Sequence, residues 1–121
     1  MALQQNIYSM TYLAGAAITQ WTFVDLSTAA DGTVVTAAAG GPAIGIATSG
    51  AASGAGVPVQ ELGRCKVTVG AVAITRGALL ASDANGNAVV AVSTNYAVAR
   101  AVESAASGAL VTVELIQYGK Q

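Results

Sequence analysis

Two halves of this chain carry the same phrases in the same order. Asp31-Gly32-Thr33-Val34-Val35-Thr36-Ala37 returns as Asn85-Gly86-Asn87-Ala88-Val89-Val90-Ala91. Ala51-Ala52-Ser53-Gly54-Ala55, with Val57 and Val59 after it, returns as Ala105-Ala106-Ser107-Gly108-Ala109, with Val111 and Val113. Both pairs share an offset of about 54 residues, at which Ala43-Ile44 also meets Ala97-Val98. Upstream, Ala17-Ile18-Thr19 matches Ala73-Ile74-Thr75 with a slip of about two residues. An internal repeat constrains the whole fold, because each copy must form the same local unit and the copies must bury their apolar faces together.

The unit reads as β. Val34, Val57, Val59, Val67, Val69, Val111, Val113 and Leu115 fall in short runs of period two, bounded by Gly, Asn, Asp or Ser. Asp31-Gly32 and Asn85-Gly86 are tight-hairpin dipeptides, in which both central residues adopt positive φ. Ser53-Gly54 and Ser107-Gly108 mark turns at matching places, and the Ala-rich stretches are too short and too punctuated for a long helix. The expected fold is all-β: a small barrel or sandwich built from an internal duplication of a short-strand unit, preceded by an extended N-terminal arm. Residues 1–16 are the arm and 17–121 a single β domain, with repeats at about 17–62 and 73–116 joined through the segment around Gly63 to Val72. Closure would remove strand edges that a nearly uncharged surface cannot guard.

Composition narrows the function. Charged residues make up 9% of the 121 residues and the formal net charge is −1, against about 25% charged in ordinary soluble domains. A surface of Ala, Gly, Ser and Thr suits a protein that lives inside an assembly. No run of Lys or Arg exists to track phosphates, which argues against nucleic acid as partner. The uncharged stretch Met1 to Val24 lacks the basic start of a signal peptide and is interrupted by Gln4, Gln5, Asn6, Ser9, Thr11 and Gln20, so no membrane role is expected. The single Cys65 reads as a small buried hydrophobe.

Chemistry-bearing groups are sparse. The chain has no His, and one Cys with six scattered carboxylates gives no zinc-type spacing. Asp83-Ala84-Asn85-Gly86-Asn87 has oxygen ligands at alternate positions, but its Gly comes too early for a calcium loop and no closing Glu follows; a turn explains it. Neither a phosphate loop nor a nucleophile elbow is present. The chain is therefore expected to be no enzyme, with no cofactor, no metal and no small-molecule substrate. The copies also differ: Trp21 stands where the second has Gly77, and Arg100 where the first has Ile46. Trp21 and Phe23 either plug one end of the barrel or belong to an aromatic docking region with Tyr8 and Tyr12.

The ordered set Ala73-Ile74-Thr75-Arg76-Gly77, Leu79-Leu80, Asp83, Asn85-Gly86, Ala97-Val98-Ala99-Arg100-Ala101 and Ala106-Ser107-Gly108-Ala109-Leu110-Val111-Thr112-Val113 resembles the capsid cement (decoration) proteins of tailed bacteriophages. Ile44-Gly45-Ile46-Ala47 of the first copy is similar to the matching family segment, and the likeness spans about residues 17–115. Trp21, in place of the expected Gly, and Arg100, in an otherwise apolar strand, depart from the pattern. The resemblance implies a β-rich homotrimer on the outer capsid surface of the virion, fastening neighbouring copies of the major capsid protein without performing a reaction. On that reading the uncharged arm pairs with an edge of the capsid protein. Leu3, Ile7, Tyr8, Met10 and Tyr12 would anchor it, while Trp21 and Arg100 would stand at an interface. The alternative is a repeated β module of another virion part, a tail or fibre, or of a surface array.

Overall fold

The computed structural model describes residues 5–120, with side chains described for residues 10–116. Every element among them is a strand: β1 (Gln5–Ala14), β2 (Thr22–Leu26), β3 (Thr33–Thr36), β4 (Gly45–Ala47), β5 (Gly56–Thr68), β6 (Leu79–Ser82), β7 (Ala88–Val90), β8 (Tyr96–Ala101) and β9 (Leu110–Lys120). The sheet runs β1-β3-β2-β4-β5-β9-β8-β6-β7, and β1 also pairs with β5. The first five members thus close on themselves into a barrel. The short Val-, Ile- and Thr-rich runs punctuated by Gly suit strands, and closure pairs backbone groups that would otherwise be an open edge.

The second group, β5-β9-β8-β6-β7, repeats several pairings of the first. Parallel pairing of Leu13 with Thr33 and Ala14 with Val34 brings β1 against β3, and a parallel bridge from Val69 to Ala88 brings β7 back beside the end of β5. Antiparallel bridges Ile18–Ala51 and Ile74–Ala105 recur at matching points. So do the hydrogen bonds from Trp21 N–H to the Ala47 carbonyl and from Gly77 N–H to that of Ala101, 2.7 and 2.8 Å. Phe23–Ile46 and Ile46–Gln60 in the first group correspond to Leu79–Arg100 and Arg100–Glu114 in the second.

One strand serves both groups. The first half of β5 pairs with β1 and β4; the second half pairs with β9, playing the part that β1 plays in the first barrel. Between the halves, Gly63 adopts φ +92°. Gln60, fully buried, brackets this bend by donating its side-chain amide to the carbonyls of Leu62 (2.9 Å) and Arg64 (2.8 Å). A buried amide is tolerated when its donors are matched in this way.

Two expectations change. The segment read as an extended N-terminal arm supplies β1, which backbone pairing with both β5 and β3 holds against the barrel. The stretch read as a joining segment is largely the second half of β5, because alternation of Cys65, Val67 and Val69 into the core continues across it. The Gly-containing turns are not two-residue hairpins. Gly32 (φ +66°) and Gly86 (φ +80°) are left-handed, but Asp31 and Asn85 are not among the positive-φ residues. Instead the Asp83 carboxylate accepts the N–H groups of Asn85 (2.8 Å) and Asn87 (2.9 Å), organising a longer loop.

The core has two parts. Ala14, Ile18, Val24, Val34, Ala47, Val57 and Val59 fill the first barrel. The second cluster holds the matching residues of the other group, among them Val69, Ile74, Ala88, Val111 and Val113, together with Phe23, Ala37, Ala43 and Ile46 from the outside of the first barrel. The two groups are therefore welded along one apolar seam.

Candidate functional site

The seam explains where Trp21 stands. Its backbone is left-handed, φ +61°, as is that of its counterpart Gly77 at +89°. A non-glycine residue there costs on the order of 1–2 kcal/mol. The half-buried indole packs against the seam cluster, and Lys66 Nζ lies 5.6 Å from its ring centroid, within cation–π range. Phe23, fully buried, lies in the seam itself. Thr94, the other left-handed non-glycine residue (φ +77°), corresponds in the same way to Gly40 (φ +67°).

Arg100 leads to the most distinctive surface feature. Arg64 on β5, Glu114 on β9 and Arg100 on β8 stand directly opposite one another across three adjacent strands. With Arg76, Gly77 and Val102 they line a cleft of about 330 Å³. All three arginines of the chain are there, accompanied by one carboxylate. Arg100 Nε donates to the Gly77 carbonyl at 3.3 Å. A Cβ on Gly77 would lie 3.8 Å from the Arg100 guanidinium, an ordinary contact. Where the first group has Trp21 and Ile46, the second has Gly77 and Arg100. Planar guanidiniums clustered in a cleft are suited to receive carboxylates in bidentate fashion.

The other expected interface residues scatter. Leu3 lies outside the described residues. Ile7 and Tyr8 belong to β1. Met10 is exposed, while Tyr12 is half-buried and donates its hydroxyl to Glu61 Oε2 at 3.1 Å, with Met10 Sδ at 3.9 Å. Trp21 and Arg100 sit at the equivalent corner of their two groups, away from that strand pair. Arg64, Arg76 and Glu114 were missed by sequence reasoning. Their signal lay in a position-by-position comparison of the copies, which puts them opposite Ser9, Gln20 and Gln60.

Among the described residues no group of acidic, Cys or His side chains could hold a metal. Cys65 is fully buried, and burial pushes its thiol from 9.0 up to about 12 against the smaller lowering effects of a backbone hydrogen bond from Lys66 and its charge. The folded state therefore keeps the thiol neutral where the unfolded chain ionises. That contribution to stability is whole below pH 9.0 and is lost as pH rises toward about 12. We expect no reaction with a thiol reagent at pH 8 until denaturant is added. We also expect a loss of stability above pH 9 that a Cys65→Val variant largely lacks; prompt native-state labelling would contradict this.

The model of the phage cement protein family matches residues 3–116. Among solved structures, the head fiber gp8.5 N base of bacteriophage phi29 is similar in fold, with a TM-score of 0.77 at 24% identity over 94% of this chain and 97% of that one. No curated protein sequence matches the chain. A family model that spans nearly the whole of an all-β, barrel-forming chain leaves a plain conclusion: this chain belongs to the phage cement protein family.

Proposed function

We propose that this chain is a structural decoration protein that binds the outer surface of a tailed-phage capsid, holding neighbouring major capsid proteins together as a homotrimer and performing no reaction. The observation that carries this reading is the family match over residues 3–116. The sparse charge, 9% of residues, supports it, since small neutral side chains let backbones approach closely across a contact. Two groups of strands matched in pairing and in hydrogen bonds support an origin by duplication of one short-strand unit.

On this reading the shell-facing side is β1 and its partner on β5. Leu13 and Leu62 are 53% and 51% exposed although both belong to barrel strands, while Met10, 45% exposed, stands with Tyr12 on the other face of β1. Leu3, Ile7 and Tyr8 belong to the same segment. Standard interfaces take roughly 800 Å² from each partner, a minor part of the 5822 Å² surface of one chain, so separate faces remain for the shell and for sister subunits. Three linked subunits multiply modest single contacts through effective concentration.

The test is binding of the full chain to expanded shells, with the shell disruption temperature as second readout. Wild type should bind at micromolar concentration and raise that temperature. A Leu13→Asp variant, folded by circular dichroism, should bind at least about tenfold more weakly, since buried carboxylates without partners are costly. Absence of wild-type binding would remove the cement reading; equal binding by the variant would remove β1 as the contact. The fold likeness to a head-fibre base favours as second reading a role as the base of a head fibre, which imaging of the particle distinguishes by an extended shaft above this domain.

A further inference from the structure

The seam inside the chain is one half of a two-sided joint. On the first group, the face around Phe23 and Ile46 is covered by the second group. Phe23 N–H donates to the Gly86 carbonyl at 2.7 Å, and Gly40 N–H to that of Ser82 at 2.8 Å. The Asn85-Gly86 turn sits so close that a Cβ on Gly86 would meet the Phe23 carbonyl oxygen and Thr36 Cγ2 at 2.9 Å and Thr22 Cβ at 3.0 Å. On the equivalent face of the second group, half-buried Leu79 pairs with the exposed Arg100, which lines the adjoining arginine cleft. Conversely, the first group's own turn, Asp31-Gly32, projects freely, with nothing within 4 Å of where a Gly32 Cβ would be. One receiving face and one entering turn are left over.

The two are complementary. The receiving face carries Arg100 where the covered one carries the buried Ile46, and Arg64 and Arg76 line the adjoining cleft. The free turn carries Asp31 where the packed turn carries Asn85. Val90, at the position of Thr36, is 45% exposed on the receiving side, and Leu26, at the position of Ser82, is 52% exposed on the entering side. Charge meets opposite charge and apolar surface meets apolar surface. A neighbour that carries both halves is at hand in a second copy of this chain.

We propose that copies of this chain join head to tail, the Asp31-Gly32 turn of one copy packing on the face around Leu79 and Val90 of the next, beside Arg100, as Asn85-Gly86 packs on the first group within one chain. The Asp31 carboxylate is received by Arg100 and its neighbouring guanidiniums. This deepens the homotrimer reading and rests on it, because a heterologous contact whose rotation closes makes a ring with no free end.

The test follows self-association of the free full-length protein by light scattering from micromolar to millimolar concentration, with binding to expanded shells measured separately. Wild type should assemble beyond the monomer. Asp31→Arg and Arg100→Asp, both surface changes, should each fold with thermal midpoints near wild type but assemble at least tenfold more weakly, since like charges are brought together. The double variant Asp31→Arg/Arg100→Asp should recover assembly. A wild type monomeric throughout, single variants that assemble normally, or a double variant that stays dissociated would each overturn the contact. If Arg100→Asp loses only shell binding while self-association is intact, the cleft receives an acidic capsid segment and the proposal falls. If wild type assembles through this contact yet binds no shell, the cement reading fails and the contact stands.

Discussion

Replacing Phe23 by Ala should lower the thermal midpoint by roughly 12–20 °C, from a loss of about 3–5 kcal/mol at roughly 4 °C per kcal/mol. Phe23 is the largest fully buried side chain and belongs to the cluster that joins the two strand groups. Truncation removes its transfer free energy and leaves a cavity whose walls are strands of both groups, tied into one sheet and poorly able to collapse. Since domains of this size have a total stability of about 5–15 kcal/mol, the loss is a large fraction of the whole. The seam is also the main coupling between the groups, so the Ala variant should unfold over a broader range than wild type. Phe23→Leu, which keeps most of the volume, should cost about 1 kcal/mol and keep a single sharp transition. Scanning calorimetry reads both effects. A midpoint within about 3 °C of wild type for Phe23→Ala would show that the seam contributes little.

Gly45→Ala should be comparably severe for a single methyl group. Gly45 lies in β4 between Val24 of β2 and β5. An added Cβ would fall on the carbonyl oxygen of Gln60 and within 2.9 Å of Val59 Cγ1. The obstacle is backbone, and it belongs to β5, the strand that both groups share. Relief therefore requires β5 to shift against β1 and β9 together, at a cost of about 3 kcal/mol or more. Gly56→Ala is the control: its Cβ would meet Thr11 Cγ2 at an ordinary 3.5 Å, and about 1 kcal/mol or less is expected. Chemical denaturation of the two variants should separate them clearly. Equal midpoints would mean that β4 can move away from β5 without disturbing the barrel.

Much of the fold was legible because its signals are local. Alternation of Val and small residues gives strands, and Gly32 and Gly86 do adopt the left-handed turn geometry that their dipeptides suggested. The two-residue slip read between Ile18-Thr19 and Ile74-Thr75 is the same slip that aligns Trp21 with Gly77, both left-handed. The joints were less legible. A strand that ends one group and begins the next looks like a linker when each half is read alone, and the partners that hold the extended segment Gln5–Ala14 lie far along the chain. Arg100 was noticed as a lone exception. Its company of Arg64, Arg76 and Glu114 comes from strand order, which brings together residues remote in sequence.

By itself the sequence determined the all-β character, since periodicity and turn residues act along one dimension, and its ordered short motifs carried the resemblance to the cement family. Tertiary structure alone decided which of two equivalent faces is buried. The second group can cover only one of them, so Phe23 and Ile46 are sealed into a seam while Leu79 stays half-buried and Arg100 is exposed. Nearly identical local patterns thus acquire opposite environments, because burial is a property of how units stack and not of the units themselves.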